Sequence, residues 1–400
     1  MDTHFPQEVV DNIVEFLPED ELSKFATVSR KWQKAVENYN FRYFTIDHTK
    51  EEDMEGLATI VFPKHRHQLR ILRLRSPLQL GYRIPEAFNK TLLRFFQLVA
   101  GSVTTVQEAL ESRNRGTTLE LSWHYQADAE DFGFAIDSCT FTLPPVTPVM
   151  RGISTLRMIM CCADVRVRLY TAVELAMATP DIKRLEILAN TTRPILTLRC
   201  ADHVRNRISL RAALLARKFL SHTNLQEVCL MLEPTDGVSH MWIDSYTSLV
   251  PRQFDLLSSA VRMWSYTLVS LDVQGLFDSS LFWPDPAEKL IIGGSVWNRL
   301  KNFHARLRLE TPTGNRYFVA RTGSNFENKP HQETLQPLFS YWADALGHMP
   351  VLEKASVAFT MKFEVISERN AWCPMDWMVE YQAPNNESPN PRLFFQYVRG

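Results

Sequence analysis

A chain of 400 residues has room for two or three domains of ~150 residues, or for one short domain and a long array. Hydrophobic residues at 45% and charged residues at 22% exclude a disordered polymer and supply a large core. A formal net charge of −1 argues against a whole-chain nucleic-acid binder and leaves only local basic patches.

The start, Met1 to Glu8, has no basic segment and no apolar run, so no secretory signal is expected. No apolar stretch approaches the ~18 residues of a membrane span. The richest, Ile208 to Leu220, is broken by Arg211, Arg217 and Lys218. Cys139, Cys161, Cys162, Cys200, Cys229 and Cys373 form no C-x-x-C pair. Thiols this scattered suggest a reducing compartment, cytoplasmic and/or nuclear, and no bound metal.

Phe5 to Ile46 is the most informative stretch. Pro6 suits the first position of a helix, and Val9, Val10, Ile13, Phe16 and Leu17 follow at helical spacing. Pro18 ends that helix. Asp20 can cap a second helix burying Leu22, Phe25, Ala26 and Val28. Ser29 can cap a third, Arg30 to Glu37, carrying Trp32 and Val36. Three helices this short have little core and leave apolar side chains in need of a partner. They are either a cap on the following domain or a docking module.

The order of residues favours docking. Phe5-Pro6-x-Glu8-Val9-Val10-x-x-Ile13-x-x-Phe16-Leu17, Glu19-Asp20-x-Leu22 and Val28-Ser29-Arg30-x-Trp32 resemble the F-box family. Phe5 stands where that family usually has leucine. The resemblance implies a three-helix F-box at residues 1–46 that docks on a Skp-family adaptor and through it a cullin. By position it implies apolar roles for Phe5, Pro6, Val9, Ile13, Leu17, Leu22, Val28 and Trp32. The expected adaptor face is Phe5, Pro6, Val9, Leu17, Leu22 and Trp32, by helix-in-groove contact.

From residue 57 to 383 a Leu-x-x-Leu-x-Leu pattern recurs, as in leucine-rich repeats. It reads Leu69-x-x-Leu72-x-Leu74, Ile182-x-x-Leu185-x-Ile187, Leu225-x-x-Val228-x-Leu230 and Leu268-x-x-Leu271-x-Val273. Weaker copies are Leu156-x-x-Ile159-x-Cys161, Leu300-x-x-Phe303-x-Ala305 and Leu352-x-x-Ala355-x-Val357. Ile182, Leu225 and Leu268 follow at intervals of 43 residues, longer than the ~20–29 of standard repeats. Helices are predicted over Leu169 to Ala178, Ile208 to Leu220, Gln253 to Tyr266 and Leu335 to Leu346, each ahead of a short apolar strand. The expected fold is α/β: an F-box followed by an irregular leucine-rich-repeat-like solenoid, its parallel sheet backed by helices. A compact α/β domain is the alternative.

Residues 76–150 carry almost none of this pattern and read as an insertion. Leu92 to Ala100 looks helical, Thr118 to Trp123 and Phe134 to Leu143 alternate like strands, and Pro144-Pro145-x-x-Pro148 is a loop. Residues 384–400 read as a C-terminal tail. The C-terminal half resembles fungal F-box proteins with degenerate leucine-rich repeats. Phe282-Trp283-Pro284, Trp297-x-x-Leu300, Thr311 to Phe318, Ala343 to Glu353 and Trp377-x-Val379-x-Tyr381 carry that resemblance.

No phosphate loop, nucleophile elbow or zincin motif is present, so neither an enzyme nor a cofactor is expected. A hydrolase would need acid, base and nucleophile converging in one pocket. His65-x-His67 lacks further ligands at useful spacing. Basic residues cluster at Lys64, Arg66, Arg70, Arg73, Arg75 and Arg83, and again from Arg193 to Lys218. Such clusters fit an acidic or phosphorylated partner, or the solvated faces of helices and strands. In a solenoid, the residues between apolar positions line the concave face. Those are Met160, Glu186, Cys229, Asp272, His304 and Ser356, joined by Arg306, and they are the expected target-binding set. The reading is a substrate-recognition subunit of an SCF-type ubiquitin ligase, with a protein target of unknown identity and no membrane partner. The alternative is a repeat scaffold acting outside any ligase.

Overall fold

The structure, a computed structural model, describes residues 5–47, 49–78, 86–102, 116–125, 139–141, 143, 147–160, 165–167, 169–191, 207–216, 224–234, 255–283, 296–320, 327–364, 372–384, 388 and 390–399. The chain divides into two units. One is Met1–Ile159 with Ala178–Ile182, the other Met160–Met177 with Lys183–Gly400.

The first unit opens with three helices. Pro6 stands before α1 (Gln7–Val14), where its missing N–H has no helical partner to lose. The start of the second helix differs from expectation. Glu19–Glu21 form a 3-10 turn after Pro18, and α2 (Leu22–Ala26) has no side-chain cap, so Asp20 caps nothing. Ser29 does cap α3 (Arg30–Asn40), its Oγ accepting from the Trp32 N–H at 3.4 Å.

Strands β1 (Tyr43–Asp47), β2 (Ile71–Leu78) and β3 (Thr117–Tyr125) then pair in parallel. Helices α4 (Glu51–Gly56, continuing to His65 as a π-helix) and α5 (Glu86–Gly101) lie between them in sequence, as parallel crossovers require. The pairing aligns Phe44 with Leu72 and Leu72 with Leu119. It also aligns Ile46 with Leu74 and Leu74 with Leu121. Two copies of the apolar triad thus escaped sequence reading. Phe41-x-x-Phe44-x-Ile46 lies at the end of the helical segment, and Gly116-x-x-Leu119-x-Leu121 begins with glycine in place of leucine. Residues 76–150 are therefore not wholly an insertion, because β3 belongs to the sheet. Within that range Cys139–Phe141 form the short β4, and Phe134 to Ser138 and Pro144-Pro145 lie outside the described residues.

Strand β5 (Ile153–Met160) follows β3 in the sheet order. Its register corrects the sequence reading by three residues. Ile153, Leu156 and Met158 are the buried triad, while Ile159 is half-buried. Cys161 and Cys162 lie outside the described residues.

In the second unit the sheet order is β7 (Arg184–Thr191), β8 (Glu227–Pro234), β9 (Ser270–Gly275), β10 (Asn302–Leu307), β13 (Lys354–Glu364), β14 (Trp372–Gln382) and β15 (Arg392–Arg399). The short β6 (Val165–Val167) and the hairpin of β11 (Phe318–Ala320) with β12 (Glu327–Pro330) complete the strands. The first five of the series are parallel, and each triad expected from sequence is buried. One backbone device recurs at each step. The Lys183 carbonyl accepts from the N–H groups of Gln226 and Glu227, and Gln226 from those of Val269 and Ser270. Val269 likewise accepts from Lys301 and Asn302, and Lys301 from Glu353 and Lys354. A single carbonyl thus serves two amides at the same place in each of these four strand junctions. The intervening helices are α6 (Tyr170–Met177), α7 (207–214), α8 (Leu256–Ser265) and α9 (Gln332–Leu346).

Two expectations fail at the C-terminal end. The sheet is not wholly parallel, since β14 runs antiparallel to both β13 and β15. Residues 392–399, expected as tail, are a strand. Their aromatic and β-branched composition suits a sheet, but the Pro- and Asn-rich run before them read as the end of ordered chain.

The residues that carried the C-terminal resemblance turn out to serve packing. Phe282, Trp297, Tyr317 and Phe318 are buried. The Trp297 indole N–H donates to Ser265 Oγ at 2.8 Å and the Tyr317 hydroxyl to the Phe277 carbonyl at 3.0 Å. Arg262 is buried too, its Nη1 donating to the carbonyls of Ser280 and Trp283. Gly275 closes β9 at φ +138°, where a Cβ would stand 2.5 Å from the Leu232 carbonyl oxygen. Gly275→Ala is expected to cost about 1–3 kcal/mol of stability, seen as a lower denaturation midpoint with unchanged slope.

Candidate functional site

Within each unit, parallel register places the residue between the second and third triad positions of neighbouring strands in a row. In the first unit Thr45, Arg73 and Glu120 align, and Arg157 holds the equivalent place on β5 between Leu156 and Met158. Met160, the expected member, is displaced by the three-residue register correction. Glu120 is buried, yet Arg73 Nε bonds its Oε1 and Arg157 Nη1 lies 3.4 Å from its Oε2. Two guanidinium groups compensate one buried carboxylate.

In the second unit Glu186, Cys229, Asp272, His304 and Ser356 align as expected, with Arg306 two residues further along β10. Asp272 and Arg306 are exposed, Cys229 and His304 half-buried, Glu186 and Ser356 buried. Arg184 Nε donates to Glu186 at 2.6 Å and its Nη1 to Glu227 at 3.0 Å. Crowding by the flanking strands pushes the Asp272 carboxyl up, against the pull of His304, Arg306 and Arg184. His304 Nδ1 lies 2.9 Å from Ser356 Oγ. Asp272, His304 and Ser356 thus stand side by side in the row, Ser356 being buried. What the row offers outward is an acceptor at Asp272, a donor at Arg306 and an imidazole that can be either, which suits polar recognition.

The basic clusters resolve unevenly. Lys64, Arg70 and Arg75 are exposed, while Arg73 is engaged by Glu120. Arg83, Arg193, Arg199, Arg205, Arg217 and Lys218 lie outside the described residues. Arg207 is not a surface residue. Its Nη2 donates to Asp255 at 2.5 Å, and both side chains are buried. Asp255 also accepts from the Ser258 N–H and hydroxyl, capping α8. Asp278 accepts from the Asp255 N–H at 2.6 Å and from Ser280. Burial and the neighbouring Asp255 charge push the Asp278 carboxyl up to about 6. His65 is occupied structurally, bonded to Gln68 and stacked on Phe41 at 3.7 Å. Among the described residues no group of three metal-ligating side chains is assembled, and no helix is long and apolar enough to cross a membrane.

The three N-terminal helices close on a small core of Val10, Val14, Leu22, Ala35 and Val36. Leu17, Phe25, Ala26, Trp32 and Tyr39 pack against it, with Phe25 and Trp32 stacked at 5.4 Å. Polar ties hold the helix ends. Lys31 Nζ donates to the Phe5 carbonyl, Gln7 to the Lys31 carbonyl, and Arg42 to Glu15 at 2.6 Å. Outside this core, Phe16 is 87% exposed, Phe5 56%, and Val9, Val28 and Pro6 are exposed as well. A comparison with protein-family models matches these helices. Residues 3–44 are an F-box domain. F-box domains bind Skp-family adaptors in SCF complexes. A comparison with curated proteins finds no match to the chain.

Within the F-box, the expected adaptor face divides. Phe5, Pro6 and Val9 point to solvent, and Leu17 and Trp32 are half-buried against the core. Leu22 is 3% exposed and belongs to the core itself, since it must fill the space between α1 and α3. Phe16 and Val28, left off the expected face, are its most exposed apolar members. Period alone could not sort them, because Phe16 lies beyond the last turn of α1 and Val28 in the turn before α3.

Proposed function

We propose that the chain is the substrate-recognition subunit of an SCF-type ubiquitin ligase. Its F-box docks on a Skp-family adaptor through Phe5, Pro6, Val9, Phe16 and Val28, with Leu17 and Trp32 at the rim. Its body, a leucine-rich-repeat-like array, holds the target protein, with Glu186, Cys229, Asp272, His304, Arg306 and Ser356 as the polar face. The chain does no chemistry of its own. It raises the local concentration of target lysines beside a ubiquitin-charged enzyme.

What carries this reading is the exposure of large apolar side chains on a domain whose family binds such adaptors. A helical cap would bury Phe5 and Phe16 against the body. F-box proteins are in general non-catalytic adaptors, consistent with a receptor. Co-expression with a Skp-family adaptor is expected to yield a stable 1:1 complex through size exclusion. A folded chain that elutes without adaptor would leave the scaffold reading in its place.

A further inference from the structure

In the first unit, the sheet face opposite the apolar triads is rich in arginine. Successive side chains of a strand alternate between faces, so residues two apart share one. On this face the register lines up Thr45, Arg73 and Glu120, then Asp47, Arg75 and Ser122. β5 brings Arg157 beside Glu120. Among the described residues of β1, β2, β3 and β5 the face carries three guanidinium groups and two carboxylates.

The two carboxylates are both engaged. Glu120 is 2% exposed and accepts from Arg73 Nε and Nη2 and from Arg157 Nη1. Asp47, which flanks Arg75 on the edge strand β1, accepts from the N–H and the hydroxyl of Thr49. Arg75 is exposed and makes no ion pair among the described residues. Arg73 uses one side of its fork on Glu120, and its Nη1 makes no bond among the described residues. Two guanidinium groups on one buried carboxylate leave a positive charge over, and their side chains are ordered before any ligand arrives. Such preorganisation lowers the entropy cost of binding.

The spacing of the surplus charge decides between ligands. One positive charge lies around Glu120 and a second at Arg75, two residues further along β2 and so roughly 6–7 Å away. A phosphate brings about two negative charges to one point. At Arg73 that point would crowd the Glu120 carboxylate. Carboxylates on alternate residues of an extended chain instead stand on one side at the pitch of Arg73 and Arg75. We propose that this face binds an extended acidic segment of a partner protein, its carboxylates at alternate positions. Arg73 and Arg75 take successive carboxylates as bidentate pairs, and Arg157 reinforces the Arg73 end. On the receptor reading, and resting on it, the segment belongs to the target and its contact is separate from the polar row of the second unit.

The test uses the full chain and a fluorescein-labelled heptapeptide, Glu-Ser-Glu-Ser-Glu-Ser-Glu, read by fluorescence anisotropy. Saturable binding is expected, weakened at least tenfold by Arg75→Glu and at least threefold by Arg75→Gln. Arg75 is exposed and unpaired, so both variants should melt with wild type. The isomer Glu-Glu-Ser-Ser-Glu-Glu-Ser has the same charge but no two glutamates two residues apart, and should bind at least fivefold more weakly. Lys64→Glu makes the same change of charge at an exposed position off the sheet and should leave binding within twofold. No saturable binding by wild type overturns the proposal, as does binding indifferent to Arg75 or to the order of the glutamates. An equal loss in Lys64→Glu would mean a diffuse basic surface and also overturn it. So would tighter binding of a heptapeptide with one central phosphoserine and no glutamate, which would assign a phosphate site. Adaptor binding measured on the same preparations keeps the two readings separate. Peptide lost with adaptor retained strikes the arginine face alone, and adaptor lost with peptide retained strikes the receptor reading alone.

Discussion

Replacing Arg207 with methionine is expected to destabilise the second unit by about 3–5 kcal/mol, the usual cost of removing one member of a buried ion pair. Methionine keeps much of the volume, so the loss is electrostatic. In the wild type Arg207 comes from α7, Asp255 precedes α8, and Asp278 lies in the segment after β9. Three separated segments meet in one buried knot with two carboxylates and one guanidinium. Without the cation, the buried Asp255 loses the partner that compensates it beside Asp278. Chemical denaturation of the full chain checks the magnitude. A loss below about 1 kcal/mol would mean that the pair is solvated and not buried.

The same knot sets a pH dependence. Asp278 rises from an ordinary 3.8 to about 6 on folding, first through burial and then through the Asp255 charge. The folded state therefore holds a proton that the unfolded chain releases between those values. Stability from this group is full below about pH 4 and falls as pH rises to about 6, by about 3 kcal/mol in all. The denaturation midpoint should accordingly be higher at pH 5 than at pH 7.5. Asp278→Asn should flatten that difference. Tyr317, buried nearby and pushed up by burial and by the two carboxylates, stays protonated throughout this range.

What sequence made legible was periodic, and what it hid was interruption. The triads at Ile182, Leu225 and Leu268 could be read because each keeps branched aliphatic residues at all three positions, and each is buried. Thr118 to Trp123 read as a strand, but its place in the triad series escaped because Gly116 stands where the first leucine would be, at φ +73°, a turn that favours glycine over leucine. The copy at β5 was read three residues late because Leu156 satisfies either frame, as middle member or as first. That single ambiguity exchanged Arg157 for Met160. β15 escaped because antiparallel return strands obey no repeat spacing. Arg207 looked like one cation of a basic surface, and only its partner 48 positions on, Asp255, shows it to be core. Within the F-box, residue type marked the apolar set correctly, but exposure depended on where each helix stopped.

That division gives the second large effect. The double substitution Phe5→Asp, Phe16→Asp is expected to abolish co-purification with a Skp-family adaptor. Central apolar anchors of an interface typically contribute 2 kcal/mol or more each, so losing two weakens binding on the order of a thousandfold. Stability should barely move, within about 0.5 kcal/mol, because neither side chain enters the core. Leu22→Ala should behave in the opposite order. It empties the core among Val10, Val14 and Val36 and costs about 2–5 kcal/mol of stability. Three short helices cannot absorb such a loss, so adaptor binding would fail there through unfolding, visible as lost helical signal and rapid proteolysis of residues 5–47. If Leu22→Ala instead left the helices folded and removed adaptor binding, Leu22 would belong to the contact face after all. If the aspartate pair left binding intact, the docking surface would have to be sought at the half-buried Leu17 and Trp32.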